Sequence, residues 1–195
     1  MILISFSFFC IISRLIFQGV YLIRNLLLFL LLTLEVFALS PEQLRVLQTV
    51  RDVARTIPDH KGETYENTLA AICLTESSAG KNIIGDFKKG IVITKASLGA
   101  MQVQVATARY IAKRVKDLAW INKLSDAQIA NKLLTDVKTS AQVSAYYLTI
   151  LKKSRTHYFN MVSGYNGGMS NNPYYQRVIK NMKILDKYVK NGQLI

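Results

Sequence analysis

The chain has 195 residues, half of them hydrophobic, with 25 lysines and arginines against 12 acidic residues and a formal charge of +13. That length and apolar content exclude a disordered tail and a disulfide-dense miniprotein, and fit one globular domain with a core of its own. Two cysteines and two histidines make a poor zinc set and no disulfide framework, so no metal and no cofactor are expected.

Residues 1–39, MILISFSFFCIISRLIFQGVYLIRNLLLFLLLTLEVFAL, hold three charges, Arg14, Arg24 and Glu35. The stretch resembles an export segment, with Arg24 as the basic flank, Leu26 to Leu34 as the short apolar core and Val36-Phe37-Ala38 as a small-residue cleavage site. The apolar run after Arg24 is about ten residues, short for a bilayer span. The expected organisation is a signal peptide over 1–38, with a retained membrane anchor as the alternative, and a single domain over 39–195. The domain is expected outside the cytoplasm, in the periplasm or cell envelope. An anchor would associate it with the inner membrane through the N-terminal segment. Cys10 lacks a lipobox. Without Arg14, Arg24 and Glu35 the formal charge is +12, which suits an anionic partner. Wall polymer and anionic lipid come first, and export makes nucleic acid the least suitable. Cys73 then stands alone, so packing must hold the fold.

The remaining chain reads as helices with one interruption. Ser40-Pro41-Glu42-Gln43 is a capping box with proline at the first helical position. Leu44, Leu47, Val50, Ala54 and Ile57 follow at helical spacing, and Pro58 marks the end. A polar loop, DHKGET, leads to a second helix predicted from near Thr64 to Gly80. Helical period lapses over 81–98. There Gly85 and Gly90 bracket a polar turn and Ile91-Val92-Ile93-Thr94 is β-branched, which predicts a short β-hairpin. Helices resume near Val105 to Leu118 and at a second capping box, Ser125-Asp126-Ala127-Gln128. Another runs from Asp136 to Lys153, apolar at Val137, Ala141, Ala145, Leu148 and Leu151. A short helix around His157 to Ser163 ends in a glycine turn. Asn172-Pro173 cap the last helix, with Val178, Met182 and Leu185 inward. The expected fold class is mainly α with a small β element.

Glu76 is the charge that asks for a reason. It lies seven, four and three residues beyond Leu69, Ile72 and Cys73 and shares their face of the second helix. The helix C-terminus and the apolar neighbours both disfavour its ionised form, the condition a general acid needs. Ion pairing with a lysine at the helix end is the ordinary alternative. Two further stretches stand out. SLGAMQV, Ser97 to Val103, packs small residues against Met and Gln before a helix, and reads equally as a tight strand-to-helix joint. GYNGG, Gly164 to Gly168, sets Tyr165 and Asn166 on a glycine turn, and reads equally as a helix C-cap. Glycine lets backbone approach a ligand closely.

Taken in order, Glu76-Ser77, Ser97-x-Gly99-x-Met101-Gln102, Tyr165-Asn166-x-Gly168 and Tyr174 with Val178 resemble the soluble lytic transglycosylases. The resemblance spans roughly residues 65–185. It implies a lysozyme-like α+β fold, a helical domain around a substrate cleft with a small β-hairpin element. It also implies cleavage of the β-1,4 bond between N-acetylmuramic acid and N-acetylglucosamine in peptidoglycan, without water. The muramyl 6-hydroxyl attacks its own anomeric carbon and leaves a 1,6-anhydro end. By this resemblance one carboxyl, Glu76, would perform both proton transfers. Tyr165 would hydrogen-bond near Glu76 and hold it. Asn166 and Gln102 would bind sugar amides and hydroxyls. Gly99 and Met101 would shape the cleft wall, and Tyr174 would support its catalytic end. Ser77 and Ser97 are placed with the substrate-binding set, with a structural role open for each.

The chain departs from the family at Ser78-Ala79-Gly80-Lys81-Asn82, at Val103-Gln104-Val105, and in a long basic segment before Gln102 that contains Lys88-Lys89. These departures leave the acid in place and bear on the sugar contacts. The alternatives are a hydrolytic muramidase, with Asp86 as the needed second carboxylate, and a non-catalytic wall-binding protein. The implied partners are peptidoglycan glycan strands. A secretion, conjugation or flagellar machine is compatible with a small enzyme of this kind, although no docking motif is visible.

Overall fold

The computed structural model describes residues 18–25, 38–85 and 92–195. The chain divides into two units, Met1–Ser40 and Pro41–Ile195. In the first, residues 18–25 are helical (α1) and exposed. The proposed apolar core of the export segment, Leu26 to Leu34, lies outside the described residues. Among the described residues no helix is long and apolar enough to cross a membrane.

The second unit is mainly helical with one small sheet. Its elements are α2 (Pro41–Arg55), α3 (Glu66–Ser77), β1 (Ile84–Gly85), a 3-10 turn (Ile93–Lys95), β2 (Ser97–Leu98), α4 (Val105–Ala112), a 3-10 helix (Lys116–Lys123), α5 (Asp126–Thr135), α6 (Val137–Ser154), α7 (Tyr158–Tyr165) and α8 (Asn172–Lys190). On α2 the periodic residues Leu47, Val50 and Ala54 are buried, as is Ile57 just beyond it. The capping box of α5 forms in both directions: the Gln128 N–H donates to Ser125 Oγ at 3.3 Å and the Ser125 N–H to Gln128 Oε1 at 2.8 Å. Asp136 caps α6 by accepting from the Thr139 N–H at 3.1 Å. The cap of α8 is Asn171, one residue before the expected Asn172. Its Oδ1 accepts from the Tyr174 N–H at 3.1 Å, which leaves Asn172 and Pro173 in the first turn.

Helix α3 is the centre of the unit and packs against α2, α6 and α8. Every residue from Leu69 to Cys73 is fully buried, so α3 has no polar face along its middle. Ala70 and Ala71 make this possible, because small side chains let neighbouring helices close in from both sides. Burying Leu69 and Ile72 alone contributes about 2 kcal/mol each. The Cys73 thiol is pushed up to about 12 by burial, with the Glu76 charge adding to it, so this cysteine is a core residue rather than a nucleophile.

The DHKGET loop before α3 is organised by Asp59. One carboxylate oxygen accepts from the N–H groups of Lys61 (2.8 Å) and Glu63 (3.0 Å), and the other from the Tyr65 hydroxyl at 2.7 Å. Burial raises the Asp59 pKa, but the Tyr65 hydroxyl and the two N–H groups outweigh it and hold the carboxyl below its ordinary value. Such a group stabilises the fold above its unfolded pKa of about 4 and ceases to do so as pH falls through the lower folded value. Asp59→Ala is expected to lose about 2 kcal/mol at neutral pH in urea unfolding, and to show less acid sensitivity below about pH 4 than the wild type.

The β element is present but made by other residues than expected. β1 and β2 are antiparallel, with Ile84 opposite Leu98 and Gly85 opposite Ser97. Of the β-branched run, Ile93 and Thr94 lie in the 3-10 turn and Val92 is its extended N-cap, while Ile91 lies outside the described residues. Helix α4 stops at Ala112, six residues before the expected Leu118, and the chain continues as 3-10 helix from Lys116. Gly164 is a buried helical residue rather than part of a turn. A Cβ there would collide with the Arg155 guanidinium and Leu151. The left-handed turn falls at Gly167, with φ +90°.

Candidate active site

The site is built where α3 ends. Helix α3 stops at Ser77, three residues before the expected Gly80, and Ser78, Ala79 and Gly80 all take positive φ, at 54°, 56° and 83°. Only glycine adopts this conformation without cost, so the first two residues need external support. It comes from several directions. The Ser78 N–H donates to the Leu74 carbonyl and the Ala79 N–H to the Cys73 carbonyl, closing the helix end. Gln43 of α2 donates to the Ser78 carbonyl at 2.9 Å. The buried Ser77 hydroxyl donates to the Ala100 carbonyl at 2.6 Å and accepts from the Gly80 N–H at 2.7 Å. Ser77 therefore fastens the helix end and does not face the cleft.

Glu76, one residue earlier, is half-buried and lines a cleft of about 450 Å³. Its Oε1 accepts from the Tyr174 hydroxyl at 2.6 Å. Tyr174 stands in the first turn of α8 and is 1% exposed. Burial, the Glu76 charge and this hydrogen bond all push the Tyr174 hydroxyl far above its ordinary pKa, so it remains a donor at every working pH. Asn181 of α8 donates to Thr75 Oγ1 at 2.8 Å, a second tie between the same two helices.

The tyrosine hydroxyl that meets the Glu76 carboxyl is that of Tyr174. Tyr165 lines the cleft with Glu76, but its hydroxyl meets the Met101 carbonyl at 2.9 Å and Ser144 Oγ at 2.8 Å. The Tyr165 hydroxyl is the donor in both contacts, its one proton shared between the two acceptors. Burial first, then the Glu76 charge, raise its pKa well above the ordinary tyrosine value. Tyr165 consequently locks the 98–103 loop to α6 and α7.

That loop is the second half of the site. Leu98 and Val103 exchange both backbone hydrogen bonds, at 3.0 and 2.9 Å, and four residues turn between them. Gly99 takes φ +73°, and a Cβ on it would run into the Leu133 carbonyl of α5. Met101 is fully buried and Gly99 is buried too, so both support the cleft from behind rather than forming its surface. Gln102, with φ 50°, does line it. Its amino group donates to the carbonyls of Asn82 (3.0 Å) and Gly99 (2.9 Å), which fixes the amide orientation and leaves Oε1 as the group for a ligand donor.

Of the remaining expected residues, Ser97 and Asn166 line the cleft. Gln104, Thr107, Ser144 and Tyr147 line it as well, although the motifs did not single them out. On α6 a signal was present: Ser144 and Tyr147 stand three residues apart on one face of a largely apolar helix. Among the described residues, Glu76 is the one carboxylate in the cleft lining, and no cluster of three or more metal-ligating side chains occurs. Asp86 follows Gly85 of the lining but lies outside the described residues.

Residues 57–188 match the family model described as transglycosylase SLT domain. The chain belongs to this family. No curated protein and no solved structure gives a significant match. The matched span takes in the α3 end, the 98–103 loop, the α7 end and nearly all of α8, so the SLT domain contains the whole cleft. Family membership gives peptidoglycan as the substrate class and the cell envelope as the setting. It also agrees with the mainly α, lysozyme-like architecture with its small sheet.

Proposed function

We propose that this SLT domain is a lytic transglycosylase in which Glu76 is the sole acid and base. The observation that carries the reading is the Glu76 carboxyl in the cleft, clamped through Oε1 by a buried tyrosine hydroxyl and with no second carboxylate among the described lining residues. Hydrolysis by the usual route asks for two carboxyl groups at a set separation. An intramolecular attack asks for one.

In the proposed reaction Glu76 gives its proton to the glycosidic oxygen between N-acetylmuramic acid and N-acetylglucosamine. The bond to the anomeric carbon breaks, and N-acetylglucosamine leaves with a free hydroxyl. The muramyl 2-acetamido oxygen shelters the positive centre. The Glu76 carboxylate then takes the proton of the muramyl 6-hydroxyl as that oxygen bonds to the anomeric carbon. The acid is regenerated, no water is consumed, and the product carries a 1,6-anhydro ring. Tyr174 holds Oε1 throughout, which keeps the carboxyl in place at the cleft. Gln102, Ser97 and Asn166 are assigned to sugar contacts. Export through residues 1–38, and any service to a secretion, conjugation or flagellar machine, belong to the same proposal.

The test is the chemistry of the new ends. Purified peptidoglycan should become soluble without a matching rise in reducing sugar. Equal rises would indicate hydrolysis and direct attention to Asp86. Tyr174→Phe keeps the buried ring and removes the clamp. It is expected to lower the rate of wall clearance about tenfold to a hundredfold while costing about 1 kcal/mol of stability, read by turbidity and thermal unfolding.

A further inference from the structure

Asn166 stands exposed at the end of α7 and lines the cleft. Which end of its carboxamide the cleft sees is decided five residues away, at the cap of α8. The Tyr174 N–H can only donate, and it meets Asn171 Oδ1 at 3.1 Å. The other terminus of Asn171 is therefore its amino group, which can only donate. That group lies 3.0 Å from the Asn166 side chain, so the atom it meets is the acceptor, Oδ1. The amino group of Asn166 remains for the cleft. A backbone N–H thus sets the polarity of a cleft residue through two carboxamides.

We infer that Asn171 is a positioning residue: by capping α8 it orients Asn166 so that this part of the cleft offers N–H donors and takes an acceptor oxygen of the glycan. The inference rests on the peptidoglycan reading above. It also gives the cleft two amides of opposite sense, since Gln102 is pinned by two carbonyls and offers its oxygen. Such a pair can read the C=O of one substrate group and the N–H of another.

A helix cap alone would not care whether residue 171 can donate, because Asn and Asp cap equally well. Asn171→Asp keeps the acceptor for the Tyr174 N–H and replaces the donor with a carboxylate. Asn166 would then turn its amino group toward residue 171 and its oxygen toward the cleft. The expected result is a wild-type thermal midpoint, little change in kcat, and a KM on soluble glycan strands about tenfold higher. Asn171→Ser retains a cap without adding charge and should give a smaller rise in KM. The Asn166→Ala and Asn166→Ala/Asn171→Asp variants should share one KM, because both lack the group being oriented. A wild-type KM in Asn171→Asp, or a rise that persists in full on top of Asn166→Ala, overturns the inference. A wild type that does not solubilise peptidoglycan at all overturns the reading beneath it, and that result is visible before any variant is made.

Discussion

Glu76→Gln is expected to reduce peptidoglycan cleavage by about 10³-fold or more while leaving the fold intact. The size follows from the proposed chemistry. Here one group gives the first proton and takes the second, so both halves of the reaction lose their catalyst. The fold should be indifferent for a geometric reason. Glutamine matches glutamate in shape, and its side-chain oxygen can still accept from the Tyr174 hydroxyl, which lies 2.6 Å from Glu76 Oε1. Wall turbidity would read the activity and circular dichroism the thermal midpoint. A variant that keeps a tenth of the wild-type rate would show that the proton comes from elsewhere.

Gly99→Ala is expected to have the largest effect on stability, about 4 kcal/mol, or roughly 10 °C in thermal midpoint. Two costs coincide at this residue. The φ of +73° is left-handed, and the space a Cβ would need is filled by the Leu133 carbonyl of α5. Backbone cannot step aside as a flexible side chain could. Three site features hang on the same loop: the Ala100 carbonyl takes the Ser77 hydroxyl, the Met101 carbonyl takes the Tyr165 hydroxyl, and Gln102 faces the cleft. Displacing Gly99 should therefore lower activity even well below the melting temperature. A midpoint within about 2 °C of the wild type would contradict this account of the loop.

The helices were legible because burying one face requires a fixed period, and α2 and α5 carry capping-box sequences at their starts. The end of α3 was not. Gly80 looked like the stop, yet the helix turns at Ser78, because the Ser77 hydroxyl and Gln43 of α2 hold a left-handed turn that local preference would reject. The sheet was misplaced for a related reason. Strand preference favoured Ile91 to Thr94, but two-residue strands are fixed by closure of the chain, and Ile84 meets Leu98 across fourteen positions.

Of the candidate site, Glu76, Gln102, Tyr165 and Asn166 were grouped from the sequence, and these four line one cleft. Their partners were not legible. Tyr165 and Tyr174 both carry a hydroxyl near Glu76, and which one reaches it depends on how α7 and α8 cross α3. No pattern along the chain encodes that crossing. Ser77 and Met101 show the same limit: adjacent to site residues in sequence, they turn into the core because helix and loop geometry send neighbours in different directions.

The most direct test of the central claim is to digest purified peptidoglycan with residues 39–195 and with the Glu76→Gln variant, and to weigh the muropeptides. The account predicts 1,6-anhydro products, one water lighter than hydrolysed ends, from the wild type and none from the folded variant. Hydrolysed ends from the wild type, or anhydro ends from the variant at a comparable rate, would contradict it.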